Sequence, residues 1–458
     1  MRNRVWGIAI AVFLFASLLA GPSVPLLTTG MSDGKAAVPG ETHLDISTRQ
    51  AAGARPLAPL VGDVFLPHDT FGVEGLLPAS SGRVATPEPG PDDTSRFMMG
   101  SVAVAIILPE SNGTKDPNQE DWNATEIANV TSEVMAGLSW WTTQEPNASL
   151  TFSYDPLSPY IIDTSYEPIN HPQSNESLWI NEVMAFLGYT SGTYFDRVRA
   201  FDNALRTSLS TDWAFTIFVV DSAVDSDGRF ADGTYFAYAY LGGPFQVQTY
   251  DNDGWGIGLM DLVTSHETGH IFWATDEYDE GPTPGLDPGF DDETSGYLNI
   301  LEIWLSECVM DDNTLCVSGG TAGQIGWADS GDNPGILDIL DVPPQTTLDP
   351  HGDPTNDETP TYNGTATVVA YPSSDGLDDV TINTISDVEY RVDGGSWTSA
   401  TPSDGAFDEA VEDFTFTLST LLEGTYTIEA QAKIEFGPPI PTTILDPTPA
   451  SDGLTIDI

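Results

Sequence analysis

The stretch that decides the reading of this chain is His266-Glu267-Thr268-Gly269-His270, continued by Ile271-Phe272-Trp273-Ala274-Thr275-Asp276-Glu277-Tyr278. Residues four apart share one face of a helix. His266 and His270 can therefore present two imidazole nitrogens to one metal ion. Glu267 is one residue along, within reach of a water at that metal but not placed as a third ligand. Catalytic zinc takes three protein ligands and keeps a fourth position open. The motif thus supplies two ligands and a general base, most of the parts of a zinc peptidase. Leu259, Met260, Leu262 and Val263 before it read as an apolar helical lead-in. The bland alternative is a buried helix whose histidines are satisfied by main-chain or carboxylate partners.

Two carboxylates compete for the third ligand position. If the helix runs on, Glu277 lies on the histidine face, eleven residues after His266 at ~100° per residue. If the chain turns after His270, Asp276 swings back to the metal. The stretch resembles the metzincin family of zinc peptidases, whose motif is H-E-x-x-H-x-x-G-x-x-H, with Asp last in one branch. Asp276 falls at that last position, so the resemblance favours Asp276, with Glu277 as the alternative. The stretch is also similar to the H-E-x-G-H-x-F…D-E-Y pattern of some secreted bacterial and archaeal peptidases. Trp273 departs from the metzincin pattern, which has Gly there because Gly permits a sharp turn. The carboxylate not used as ligand would orient a histidine from behind the metal.

Downstream, Glu307-Cys308-Val309-Met310-Asp311-Asp312 is similar to the turn in which metzincins place a Met under the zinc. The resemblance implies that Met310 is that platform, whereas an ordinary core Met is the alternative. It covers residues 97–327. Cys308 and Cys316, the two cysteines of the chain, are expected to form a disulfide that pins this segment. Two Cys alone are too few to hold zinc. Residues 21–100 contain no cysteine, which excludes latency by a propeptide thiolate.

The formal net charge is −55, from 69 acidic and 14 basic residues, so basic depletion matters as much as acid enrichment. Such a surface disfavours nucleic acid and anionic membrane as partners. High salt would screen its self-repulsion, and a monomer is expected. Arg2 and Arg4 precede an apolar run from Val5 to Ala20, the pattern of a secretory signal peptide. A retained anchor is the alternative, although the run is short of the ~20 residues of a span. The protein is expected to be secreted, free or held at the cell surface, with no stable membrane insertion once residues 1–20 are removed. Sequons at Asn112, Asn123, Asn129, Asn147, Asn175 and Asn363 are compatible with export.

Residues 21–96 carry many Pro and Gly and little periodicity, and read as a pro-segment or a linker. Residues 97–341 form the expected peptidase domain, an α/β (α+β) fold with a mixed sheet. Its strands are expected at 101–108, 149–154, 213–220, 236–241 and 246–250, and its helices at 121–141, 178–187 and 195–209. In metzincins an edge strand pairs with extended polypeptide substrate, and Ala237, Tyr238, Ala239, Tyr240 and Leu241 are the candidates for that edge. Residues 342–362 read as a linker. Residues 363–458 alternate apolar and polar, with strands expected at 365–371, 381–385, 388–392, 414–418 and 425–435. Tyr390 to Trp397 resembles a hairpin of fibronectin-III or immunoglobulin-like modules, which implies a C-terminal β-sandwich without catalytic residues. Asp and Asn spaced along 329–338, and again at Asp221, Asp225 and Asp227 and at Asp251 and Asp253, make calcium a second candidate metal beside zinc.

The function expected is that of a secreted zinc endopeptidase, with Glu267 as general base. A zinc hydrolase of a non-protein amide and an inactive adhesion protein that keeps the fold are the rival readings.

Overall fold

The computed structural model describes residues 64–65, 88–233, 235–274, 308–310, 314–331, 333–371, 379–437 and 442–458. The expected signal peptide, most of the expected pro-segment, and both candidate third ligands, Asp276 and Glu277, lie outside these residues. No helix among the described residues is long and apolar enough to cross a membrane.

The chain is mixed α/β with several sheets. Its first part contains β1 (Val64–Phe65), β2 (Ser101–Ser111), α1 (Ala124–Trp141), β3 (Thr151–Tyr154), β4 (Tyr160–Thr164), α2 (Ser177–Phe186), α3 (Tyr194–Leu209), β5 (Trp213–Val220), β6 (Ala237–Tyr240), β7 (Phe245–Thr249), α4 (Met260–Ile271) and α5 (Gly319–Gln324). The seven strands make one sheet in the order β1-β6-β7-β5-β2-β3, with β4 also on β2. Strands β7, β5, β2, β3 and β4 run parallel, and β6 runs antiparallel to β7. Every residue of β5 (WAFTIFVV) is buried, as a parallel strand covered on both faces requires.

Alternate residues feed two cores. Val102, Val104, Ile106 and Leu108 of β2 and Trp213, Phe215, Ile217 and Val219 of β5 face α1 and α4. Ala103, Ala105, Ile107, Ala214, Phe218 and Val220 face α2 and α3. Helix α1 begins in a capping box, in which Asn123 accepts from the Thr125 and Glu126 N–H groups and Glu126 accepts from that of Asn123. Its buried stripe is Val130, Val134, Leu138 and Trp141. At the crossing of α1 and α4, Gly137 lets the helices touch, because a Cβ there would overlap the Asp261 carbonyl oxygen.

From Gln345 onward the chain forms two antiparallel sheets. The strands are β8 (Gln345–Leu348), β9 (Thr361–Thr367), β10 (Asp387–Val392), β11 (Thr398–Ser399), β12 (Thr401–Pro402), β13 (Val411–Thr417), β14 (Gly424–Phe436), β15 (Thr442–Leu445) and β16 (Ala450–Ile456). One sheet runs β12-β13-β9-β8, and the other β11-β10-β14-β15 with β16 on β14. Tyr362, Phe414 and Phe416 of the first share a core with Ile428, Ala430, Ile434, Leu454 and Ile456 of the second.

Several boundaries differ from the sequence expectation; the strand expected at 365–371, for example, is Thr361–Thr367. Packing begins before residue 97: Asp93 to Arg96 are buried, and the Arg206 guanidinium donates to the carbonyls of Pro89, Gly90 and Asp93. The span 342–362, expected as a linker, contributes strand β8 just after Pro343-Pro344. Thr381 to Ile385 is not a strand. Its contacts are divided: Ile382 packs on the first core and Asn383 Nδ2 donates to the Leu340 carbonyl at 2.9 Å, while Ile385 joins the core of the two sheets. These contacts override the strand propensity of the segment.

Candidate metal centre

His266, Glu267 and His270 lie on α4, all at 0 % exposure. The helix is wedged between α1 and the face of β7. On one side the Trp141 indole Nε1 donates to the Ser265 carbonyl at 2.9 Å, and Ser265 Oγ donates to the Gly137 carbonyl at 3.1 Å. On the other, Gln248 Nε2 donates to Thr264 Oγ1 at 2.9 Å and Thr268 Oγ1 donates to Gln246 Oε1 at 3.3 Å. Polar residues replace apolar ones on that side, so the helix is held by directional bonds that fix its rotation.

The histidines are oriented by main-chain carbonyls. His266 Nδ1 lies 2.7 Å from the Val309 oxygen, and His270 Nδ1 lies 2.8 Å from the Ala274 oxygen. A carbonyl only accepts, so each Nδ1 carries the proton and each Nε2 is the basic nitrogen. The two Nε2 atoms converge to 3.1 Å. Two tetrahedral zinc ligands with Zn–N bonds of ~2.0–2.1 Å stand roughly 3.3 Å apart. The donor set thus fits zinc in tautomer, type and separation. Among the described residues no group of three or more His, Cys, Asp or Glu side chains is arranged to hold a metal; the two candidate third ligands, Asp276 and Glu277, lie outside them.

The helix stops at Ile271, one residue after the second histidine. Trp273 N–H donates to the His270 carbonyl at 3.1 Å and Ala274 N–H to the Gly269 carbonyl at 3.0 Å. This is a Schellman closure with Trp273 in the left-handed position, at φ +74°. A tryptophan therefore takes the conformation that glycine takes in the metzincin pattern. An L residue there costs roughly 1–2 kcal/mol. The half-buried indole offsets it by packing over Gly242, where a Cβ would collide with the ring, and by holding the Arg96 guanidinium 5.9 Å from its centroid. Gly242 is fastened in turn by its N–H to the His270 carbonyl at 3.0 Å. The geometric premise for Asp276, a chain that leaves the helix after His270, is met. The premise for Glu277, a helix running on through Trp273, is not.

Met310 is fully buried beneath the helix. Its Sδ stands 2.5 Å from where a Cβ on Gly269 would be, so Gly269 is the residue that admits it. Cys308 and Cys316 form a disulfide, and the Val309 N–H donates to the Cys316 carbonyl at 3.1 Å. The bridge thus closes the segment that carries both Met310 and the carbonyl orienting His266. Strand β6 adjoins β7 and lies next to α4, and Ala237 to Leu241 are all buried. Among the described residues its outer side is met by β1, which runs parallel to it with Val64 opposite Ala239 and Phe65 opposite Tyr240. Tyr238 and Tyr240 turn their hydroxyls to the buried Glu176, which also accepts from Tyr194 at 2.9 Å. Burial pushes both β6 hydroxyls far above the ordinary tyrosine range.

Sequence reasoning missed the carbonyls of Val309 and Ala274, because every residue carries one. It also missed Gly242 and Gly269, whose signal is only the absence of a side chain.

No protein-family model matches the chain, and no curated protein matches it. Solved structures with partial likeness include the sulfane dehydrogenase SoxCD from Paracoccus pantotrophus, 17% identical, covering 21% of this chain and 23% of that one with a TM-score of 0.15. Another is catalytically inactive OgpA from Akkermansia muciniphila in complex with an O-glycopeptide, 9% identical, covering 80% of this chain and 95% of that one with a TM-score of 0.25. Superpositions this loose carry no conclusion about fold or activity.

Proposed function

We propose that the chain is a zinc-dependent endopeptidase of metzincin-like type. The observation that carries the reading is the pair of imidazoles, each fixed through Nδ1 by a carbonyl, with Nε2 atoms 3.1 Å apart at the end of a helix that closes at Trp273. His266, His270 and Asp276 would hold the metal, with Glu277 as the alternative third ligand. Zinc in that place supplies the positive charge that polarises a carbonyl and acidifies water. Glu267 takes the proton of the attacking water at its carboxylate and passes it to the leaving amine nitrogen. Its complete burial excludes bulk water and strengthens its electrostatic coupling to the charge beside it. Met310 under Gly269 supports the reading of Cys308 to Met310 as the Met-bearing turn.

Extended substrate would add along Ala237 to Leu241 by main-chain hydrogen bonds, which select weakly for sequence. Strand β1 on that side of β6 supports a pro-segment role for the stretch around Val64 and Phe65, the chain's own strand holding the place of substrate, whereas residues 89–96 pack with the domain. The two antiparallel sheets after residue 345 support a β-sandwich of fibronectin-III or immunoglobulin-like type, a non-catalytic appendage. The disulfide supports export to an oxidising compartment.

The test is zinc analysis together with casein or gelatin digestion by the purified full chain and by its N-terminally processed form. Cleavage abolished by a chelator, and a Glu267→Gln variant that keeps zinc but cleaves nothing, are expected. Full activity in Glu267→Gln sinks the mechanism. A zinc-loaded native chain that cleaves no polypeptide in either form sinks the peptidase reading and leaves the zinc hydrolase of a non-protein amide and the binding protein.

A further inference from the structure

Away from the metal helix, two carboxylates meet at the carboxyl ends of the parallel strands. Strand β2 pairs with β5 at a constant offset, from Val102 opposite Trp213 to Ile107 opposite Phe218. Continued to the strand ends, that register sets Glu110 opposite Asp221. Strand β5 pairs with β7 from Thr216 opposite Phe245 to Val220 opposite Thr249, and the Tyr250 N–H extends the ladder to the Val220 carbonyl at 2.9 Å. Glu110, Asp221 and Tyr250 therefore form a lateral row. Their parity with Leu108, Val219 and Gln248 puts all three on the face that carries α1 and α4.

Each carboxylate has one oxygen accounted for. The Trp122 N–H donates to Glu110 Oε2 at 3.1 Å, and the Ala223 N–H donates to Asp221 Oδ1 at 3.0 Å. The other oxygens, Glu110 Oε1 and Asp221 Oδ2, are buried without a hydrogen-bond partner, and Asp221 is only 2 % exposed. The next loop is tied to this place by the Asp251 N–H on Ser222 Oγ at 2.9 Å. It holds Asn252, wholly buried with neither amide atom bonded. Buried anionic oxygens without donors cost several kcal/mol each unless a proton or a cation joins them. Burial, reinforced by Glu167 and other neighbouring carboxylates, pushes both Glu110 and Asp221 up to about 7.

We propose that Glu110 and Asp221 form a binding site for a hard divalent cation of the calcium kind, at the carboxyl edge of the parallel strands and separate from the histidine centre. Hard cations take several oxygen ligands and tolerate mixed carboxylate, neutral and solvent donors. No trio of acidic or histidine side chains is arranged for a metal among the described residues, so neutral oxygens and water complete the shell. A cation here ties the loop after β5 to the lead-in of α1, which packs on the helix bearing His266 and His270. The proposal does not rest on the zinc reading.

The test uses the full chain at high NaCl, which suppresses diffuse binding to the acidic surface. Trp122 lies beside the site, with its ring centroid 5.9 Å from that of Tyr250, and should sensitise Tb3+ luminescence. Saturable emission displaced by Ca2+ is expected, together with a rise in melting temperature on adding Ca2+. Glu110→Gln and Asp221→Asn should each weaken Tb3+ affinity about tenfold or more, as loss of a ligand charge does. Glu423→Gln on the exposed surface should not. Hydrogen exchange of the native chain gives a readout free of variants: Ca2+ should slow the amides of Trp122 and Ala223. Equal affinity in native and both variants overturns the proposal. So does a native chain whose melting and exchange ignore Ca2+, which would mean that the two carboxyls share a proton instead.

Discussion

Replacing Trp273 by Gly and by Ala separates backbone from packing at the close of the motif helix. Both variants delete the same indole, so the contacts with Gly242 and Arg96 are lost equally and cancel in the comparison. What remains is the backbone at φ +74°. Alanine keeps a steric penalty of roughly 1–2 kcal/mol in the left-handed region. Glycine has none, but loses about 0.5–1 kcal/mol through the greater freedom of its unfolded chain. The Gly variant should therefore be the more stable by about 1 kcal/mol, or ~2–4 °C in melting temperature for a domain of this size. Were the helix to run on through residue 273, the order would invert, because Gly in a helix interior is about 1 kcal/mol worse than Ala. The two geometries thus differ by roughly 2 kcal/mol with opposite sign. Thermal unfolding of both variants with the metal removed by a chelator reads this difference without a contribution from zinc. An Ala variant as stable as the Gly variant, or more so, would refute the left-handed turn and put Glu277 back on the histidine face.

Three further outcomes are expected. Asp276→Ala should lower zinc affinity by orders of magnitude while Glu277→Ala lowers it ~10–100-fold, as loss of an orienting partner does; measured zinc dissociation constants decide, and the reverse order sinks the assignment. Burial holds the Asp202 carboxyl well above the usual carboxylate range, with Thr216 Oγ1 donating to it at 2.6 Å. The native state then keeps a proton that the unfolded chain releases above about pH 4, so this site's contribution is greatest at low pH and is lost as pH rises. Asp202→Asn should gain stability over the native chain between pH 5 and pH 8, and a pH-independent difference in melting temperature would refute it. Reduction of Cys308–Cys316 should speed zinc release more than it disturbs the two C-terminal sheets, because the bridge flanks the Val309 carbonyl on His266; equal effects on both, followed by zinc release and by C-terminal melting, count against it.

Most elements of the first part were legible because their patterns are local. The apolar run Trp213 to Val220 is a strand to the residue, and the stripe Val130, Val134, Leu138 and Trp141 marks α1, although the helix begins at Ala124 rather than at 121. The two antiparallel sheets after residue 345 were half legible. The hairpin at Asp393-Gly394 shows in the sequence because both residues take positive φ there. Thr381 to Ile385 has the same alternation but divides its contacts between Leu340, the neighbouring core and the core of the two sheets, a long-range choice that no window of sequence contains. Strand β8 was hidden by the prolines before it, which mark a strand's start as readily as a linker.

The candidate site divides along the same line. Side chains that would touch a metal are legible, since His266 and His270 are rare residues at a spacing that has a helical meaning. The groups that aim them are main-chain oxygens, and the groups that make room are glycines, so neither leaves a signature. Trp273 is the instructive position. Read locally, a tryptophan argues against a left-handed turn, and the sequence alone sets it against the metzincin pattern. The structure reverses the inference because the penalty of the backbone is met by the ring lying over Gly242, thirty-one residues upstream. The compensating residue is thus a glycine in a different turn, and the two positions make sense only as a pair. A Gly242→Ala change should then act at a distance, forcing the indole off its seat and loosening the closure of the helix at Trp273. That dependence is what distinguishes a turn built by tertiary packing from one written into the motif itself.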